Sequence, residues 1–407
     1  MTGGRDEAAA PPVWSGDPEA LARIVARRLP PALVPLFAAS FIRSGLLYEE
    51  FVYRLTVGVV RDAGLEPALR EASTTVEIAA RAGFEAGRAQ VPLDWILRQL
   101  AVRQVVERPP GDGPERFRLA GPLPDLAPAP VREAQRDHDP GWLPSYVLAE
   151  TVARDYPAFL RGAMAGEQIL FSPARFRLWL EYFSNDNGLY AVNNRVGAIA
   201  VETWMPRPGV ILELGGGLGS GALAVLQRFA DAGRLADIEA YWFTELVPVF
   251  LNRGQRAVLA RFPEQPVLRF TELDMNRPFA EQGVAPGSLT VVYAVNTLHV
   301  AHDLGFTLGE VFAALEPGGR LIISECVRPR PRQPVYAEFV FNLMETFRAP
   351  RLHPDYRPNG GFLTPEQWRA AAAAAGFRDV QFLPDIPALR DEFPSFYVAA
   401  IGATRPA

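Results

Sequence analysis

The sequence predicts an α/β protein in two parts, a parallel doubly wound sheet with a mostly helical domain ahead of it. Three observations carry that prediction. Val210-Ile-Leu-Glu-Leu is an apolar run that ends in Gly215-Gly-Gly-Leu-Gly-Ser-Gly221, and the following Ala222-Leu-Ala-Val-Leu-Gln-Arg-Phe-Ala230 has helical character. Further apolar runs alternate with helical stretches as far as residue 327, a pattern of βα units whose sheet binds ligands at the carboxyl ends of its strands. Residues 48–119 hold instead a set of short helices followed by a hairpin signal.

Composition bounds the rest. A chain of 407 residues is long enough for two domains, and 49% hydrophobic with 21% charged residues describes a globular protein. A net charge of −5 speaks against a broad nucleic-acid surface. There is no lysine, so all 41 basic residues are arginine, which reads as coding bias. The one cysteine, Cys326, excludes an internal disulfide and thiolate-cluster metal sites. Met1-Thr-Gly-Gly-Arg-Asp-Glu lacks the layout of a signal peptide. Leu29–Ile42 is too short and too rich in proline to span a bilayer. A soluble, cytoplasmic protein is expected, with no membrane, nucleic-acid or metal partner.

Residues 1–16 are small, polar and proline-rich, and read as a disordered lead-in. Residues 17–122 read as a winged-helix, dimer-forming domain. Asp17 caps a helix with Pro18 in its first turn, and Leu21, Ile24, Val25 and Leu29 share one face. Helices follow at Tyr48–Val60, Leu65–Leu69, Thr75–Phe84 and Leu93–Ala101. Val105-Val-Glu-Arg and Arg116-Phe-Arg-Leu119 flank Gly111-Asp-Gly-Pro-Glu as a hairpin. The last of these helices carries Leu93, Trp95, Ile96, Leu97 and Leu100, where a DNA reader needs a cationic face. Residues 123–185 are assigned as linker and connecting helices, with Leu123–Pro140 as the proline-rich linker. Residues 186–407 form the sheet domain, entered through a helix that runs from Asn194 to Met205.

Within that domain Ile238–Thr244 is the second strand, and Glu245 stands at its tip. A carboxylate there can accept from both hydroxyls of a ribose, the competing role being to cap the helix at 247–260. Val267–Leu273 is the third strand and leads to Asp274 and Met275, where capping a turn is the alternative role for the acid. The fourth strand, Leu289–Val295, delivers Asn296-Thr-Leu-His299. The fifth, Arg320–Glu325, follows Leu315-Glu-Pro-Gly-Gly319. His299 and Glu325 therefore meet at strand ends. Histidine titrates in the range needed to deprotonate a nucleophile, and a carboxylate on its far nitrogen fixes the tautomer. A capping or core histidine is the plainer alternative. Residues 329–361 read as a pocket-covering insertion, with Tyr190 and Met344 as substrate contacts or as ordinary core. Arg330, Arg332, Arg348 and Arg351 face either an anionic acceptor or solvent. His302 lies near His299 but lacks a third ligand for a metal.

Read as Glu213-x-Gly215-x-Gly217-x-Gly219, the glycine turn resembles the first motif of class I S-adenosylmethionine (SAM) methyltransferases. The acids, strands and closing strand pair at 379–402 keep that family's order. The resemblance implies a Rossmann-like class I methyltransferase sheet that binds SAM and releases S-adenosylhomocysteine. It places Glu213, Gly215, Gly217, Gly219, Glu245, Asp274, Met275 and Asn296 around that cofactor, with Asp274 on the adenine amino group. Asn296-Thr-Leu-His299-Val-Ala-His-Asp-Leu304, with Tyr241-x-x-Thr-Glu245, resembles the C-methyltransferase domains of polyketide synthases, which pair a histidine and a glutamate at matching places. The winged helix, Ser324-Glu-Cys326 and Phe341-Asn-Leu-Met344 resemble small-molecule O-methyltransferases, whose N-terminal domain dimerises and helps roof the acceptor pocket. Thr290 stands where both families often carry an aspartate. The resemblance implies a homodimeric methyltransferase of natural-product biosynthesis acting on a small-molecule or carrier-bound acceptor. His299 is its base, oriented by Glu325, and the lean is towards an acidic carbon. The alternatives are O-methylation of a phenol, enol or carboxylate, and, from another class, a SAM-sensing winged-helix DNA-binding regulator.

Overall fold

The computed structural model describes residues 16–407 apart from 112 and 264–266, so the lead-in expected at 1–16 lies, except for its last residue, outside the described residues. Helix α1 (Pro18–Ala26) starts at Asp17, whose side chain accepts from the Glu19 N–H. The long α2 (Ala39–Asp62) follows, then α3 (Thr75–Arg81) and α4 (Ala86–Val102). Thr74 and Glu77 close α3 with a reciprocal capping box. A small antiparallel hairpin pairs β1 (Val106–Glu107) with β2 (Arg118–Leu119) after α4.

Four helices lead to the sheet: α5 (Ala129–His138), α6 (Leu143–Leu160), α7 (Gly166–Phe171) and α8 (Phe176–Tyr182). Helix α5 corrects the linker reading of residues 123–140. Its prolines sit in the first turn, where a missing N–H costs nothing, and Val131 and Gln135 are buried one turn apart. Then come α9 (Gly188–Trp204), β3 (Gly209–Leu214), α10 (Ser220–Asp231), β4 (Ile238–Thr244), α11 (Pro248–Arg261), β5 (Val267–Thr271), β6 (Leu289–Val295), α12 (Leu304–Ala314) and β7 (Leu315–Cys326). The insertion after β7 contains the short α13 (Glu338–Phe341) and α14 (Glu345–Arg348). The chain closes with α15 (Pro365–Ala374), β8 (Arg378–Leu383) and β9 (Val398–Thr404).

The seven-stranded sheet runs β5-β4-β3-β6-β7-β9-β8. All neighbours are parallel except that β9 is antiparallel to β7 and β8. Every residue of β6 is buried, as a central strand covered on both faces requires. Thr290 bridges β6 to β3 by accepting from the Val210 N–H at 3.2 Å. Because order reverses beside β3, the carboxyl ends of β3, β4 and β6 open onto a crevice at the topological switch point.

The hydrophobic packing follows a different line from the chain order. Leu21, Val25, Leu33 and Phe37 join the cluster around the sheet. The helices α2 to α8 form a second cluster, and Phe339, Val340 and Leu343 of the insertion are built into it. Helix α4 buries Leu93, Trp95, Ile96, Leu97 and Leu100. Trp95 donates from Nε1 to the Val335 carbonyl at 3.0 Å. Trp95 thus ties this helix to the insertion, and it also packs on Phe339 with ring centroids 5.8 Å apart.

Candidate active site

The site is built from strand ends upward. Gly215, Gly217 and Gly219 between β3 and α10 have φ of +63°, +56° and +88°, conformations that side chains strain. A Cβ on Gly215 would come within 2.5 Å of Thr297, whereas one on Gly217 would meet nothing within 4 Å. The loop is therefore packed against the β6 end on one side and open on the other. Glu213 lies beneath it, buried, and accepts from the Tyr241 hydroxyl at 2.9 Å. Burial pushes its carboxyl up to about 8.

Glu245 stands at the tip of β4 beside this loop. Its two oxygens accept from the Gly217 and Val247 N–H groups, each at 2.9 Å. The carboxyl thus ties the glycine loop to the start of α11, and it still has lone pairs for further donors. Burial raises its pKa, while the backbone hydrogen bonds oppose that rise. Asp274 is half-buried after β5, and its Oδ1 accepts from the main-chain and side-chain amides of Asn276 at 2.9 and 3.1 Å. Met275 packs partly buried against the sheet cluster.

At the ends of β6 and β7 the parallel register sets Val295 beside Ser324, so the residues that follow are brought together. His299 lies in a 3₁₀ turn at Leu298–Val300, and its Nδ1 is 2.6 Å from Glu325 Oε2. The other Glu325 oxygen accepts from the Thr297 N–H at 3.2 Å, and this carboxylate is fully buried. Phe362 and Phe347 flank the imidazole, with ring centroids 4.8 and 5.6 Å away. Asn296 accepts through Oδ1 from the Cys326 N–H at 3.0 Å. Consecutive residues of β7 therefore hold His299 and Asn296.

These side chains open into a cavity of about 200 Å³. Its wall includes Tyr190 and Met344, the two residues expected as substrate contacts, together with Asn296 and His299. Most of the rest is aromatic, led by Trp179, Tyr182, Phe183 and Phe341. Trp179 stacks on Phe183 and Phe171 at 5.0 and 5.1 Å. Burial raises the Tyr190 hydroxyl, and Glu213, Glu245 and Glu325 add to the rise. The wall does not include Glu245, Asp274 or the loop glycines, so the two halves of the expected site meet at the β6 end.

Several residues here escaped sequence reasoning. Arg357, fully buried in the insertion, donates to the carbonyls of His299 and Ala301 at 2.5 and 2.7 Å and so holds the histidine turn. Asn193 of α9 lines the cavity with its Oδ1 buried and unpartnered among the described residues. The aromatic wall had a signal in the density of rings between Phe171 and Phe183, but that spacing is equally that of core. The four arginines weighed for an anionic acceptor have protein partners. Arg330 pairs with Asp391, Arg332 with Glu115, Arg351 with Asp303, and Arg348 with the Arg88 carbonyl.

No protein-family model matches the chain. By sequence, polyketide synthase PksR of Bacillus subtilis (strain 168) is 27% identical over 247 residues, which are 58% of this chain and 9% of PksR. The chain spans a tenth or less of the length of the curated relatives it matches. By structure, the CurJ carbon methyltransferase superposes with a TM-score of 0.74 at 21% identity, covering 96% of this chain and all of that one. The trans-methyltransferase CalH, solved with S-adenosylhomocysteine, gives 0.57 at 19% identity, with 88% and 90% covered. The chain has the class I methyltransferase fold, helical N-terminal part included. Among the described residues, no helix is long and apolar enough to cross a membrane.

Proposed function

We propose that this chain transfers a methyl group from SAM to an acidic carbon of a small or carrier-bound natural-product acceptor. The observation that carries the reading is the buried His299–Glu325 pair at 2.6 Å, set in the wall of an aromatic cavity beside the glycine loop. The residues present fit the cofactor. The open space at Gly217, the N-terminus of α10 and the Glu245 carboxylate form a cradle for a charged amino acid and a ribose. Gly215, Gly217, Gly219 and Glu245 would hold SAM there, with Asp274 and Met275 at its adenine and Glu213 supporting the loop from below. SAM supplies an electrophilic methyl group.

What the chain itself does is to make the acceptor a nucleophile. Glu325 holds Nδ1 of His299, which leaves Nε2 as the base and stabilises the imidazolium that forms when Nε2 takes a proton. The low-polarity walls shed water from the acceptor, so the charges that develop are felt more strongly than in solvent. Phenols, enols and carbons between carbonyls all need this proton removal, so the pair by itself does not choose between carbon and oxygen. The likeness of this chain to a carbon methyltransferase over 96% of its length, and to polyketide synthases in sequence, supports carbon over oxygen.

The test pairs calorimetry with turnover. SAM and S-adenosylhomocysteine should both bind the folded protein. His299→Ala should lower turnover about 100-fold or more while leaving SAM affinity unchanged. Absence of binding heat removes the cofactor, and unchanged turnover in the variant removes the base.

A further inference from the structure

Asn296 stands at the end of β6, where a cofactor contact is the ordinary expectation. The geometry points to a different role. We propose that Asn296 donates from its side-chain amide to the carbonyl oxygen of the acceptor as that oxygen becomes an enolate, and so acts as a catalytic residue. The proposal rests on the carbon-acid reading above.

Four observations support it. Asn296 has φ of +47°, one of few non-glycine residues in the left-handed region among those described, and such conformations cluster at functional sites. Its main-chain N–H donates to the Ser324 carbonyl at 2.8 Å, which locks the backbone to β7. Its Oδ1 accepts from the Cys326 N–H, and a backbone N–H can only donate, so the oxygen end of the amide is settled. The Nδ2 group is then left with two protons and no hydrogen-bond acceptor among the described residues, and Asn296 belongs to the cavity wall. His299 lies three residues further on in the same wall.

The step this completes is enolisation. The C–H bond of the acceptor breaks, its proton goes to Nε2 of His299, and the bonding pair moves through carbon to the carbonyl oxygen. Charge therefore appears on an atom that a base alone does not stabilise. A donor held in place by two main-chain bonds on its own residue costs no reorganisation when that charge forms. His299 and Asn296 address the two ends of the same three-atom unit, and Glu325 and Cys326 anchor them in consecutive positions.

Asn296→Asp is the discriminating variant. Aspartate tolerates the left-handed backbone and can still accept from Cys326, but it replaces the donor with an anionic oxygen, so the uncharged glycine variant is needed to separate loss of the donor from added charge. Asn296→Gly is the second variant, since glycine takes the positive φ without strain. Deuterium incorporation at the acidic carbon of a β-keto thioester in deuterium oxide, without SAM, is followed by mass spectrometry. SAM affinity is measured in parallel. The expected result is exchange by the wild-type protein above the solvent rate, a loss of about 100-fold or more in both variants, and SAM binding within twofold of wild type. Exchange at wild-type rate in both variants overturns the role of Asn296 alone. So does weakened SAM binding with exchange intact, which returns Asn296 to the cofactor. A wild-type protein that adds nothing to the solvent rate overturns the carbon-acid reading and this proposal with it.

Discussion

Arg357→Met tests whether the histidine turn is held from behind. The guanidinium is fully buried, and two of its nitrogens donate to the His299 and Ala301 carbonyls at 2.5 and 2.7 Å. Methionine fills similar space but leaves both carbonyls without a donor, at a cost of about 1–3 kcal/mol each. An opposing effect offsets part of this. Burial pulls the guanidinium down from its ordinary value to about 10, against the attraction of Asp303 and Glu325. That drop corresponds to about 3 kcal/mol that the folded chain recovers when the charge is removed. The Nε of Arg357 has no partner among the described residues, so its removal costs nothing further. The net expectation lies between a gain of about 1 and a loss of about 3 kcal/mol, seen as a change of at most a few degrees in Tm. Turnover should fall more steeply than stability, by about tenfold or more, because the base loses its alignment. SAM affinity should not move. Thermal unfolding, calorimetry and initial rates on the same preparation make the comparison. Full turnover in a folded variant would refute the role of Arg357, and a loss above about 5 kcal/mol would refute the offset.

Two further perturbations read other parts of the molecule. Gly215→Ala should lower stability more than Gly217→Ala, because its Cβ would meet Thr297 at 2.5 Å while that of Gly217 meets nothing within 4 Å, whereas Gly217→Ala should weaken SAM binding by filling the cradle; thermal unfolding that ranks the two in the opposite order would contradict the loop packing. Glu49 is buried between α2 and Ser395, and burial pushes its carboxyl from 4.5 up to about 7. Between those values the unfolded chain releases the proton and the folded chain keeps it, so this group lowers stability as pH rises from 4.5 to about 7, with no further change above. Glu49→Gln should flatten that part of the urea-unfolding profile and gain up to about 3 kcal/mol at pH 7 and above; a profile parallel to wild type would contradict it.

How much of this was legible in the sequence varies with the range of the forces involved. Strand β6 is legible at its observed bounds because an apolar run interrupted only by Thr290 stands between Ser288 and Asn296, and local pattern suffices for a buried strand. The meeting of His299 and Glu325 is legible because one follows and the other closes neighbouring parallel strands, whose ends converge in this topology. Helix α5 was missed because Pro128 and Pro130 look like linker residues when their place in a first turn is unknown. Arg357 and Asn193 gave no sequence signal at all. Arg357 lies in a stretch dense in proline and glycine, and its partners are main-chain carbonyls, which no residue pattern announces. The attachment of Leu21 and Val25 to the sheet cluster is likewise a long-range choice, since their helical face would suit either core equally well.

The central claim is tested most directly by where the methyl group goes. SAM bearing a trideuterated methyl group, supplied with the protein and a panel of β-keto thioesters, α-keto acids, phenols and carboxylic acids, gives products that mass spectrometry detects and NMR locates. The expected label is on the carbon between the two carbonyls of a β-keto thioester. Label on oxygen, in whichever acceptor, would contradict it.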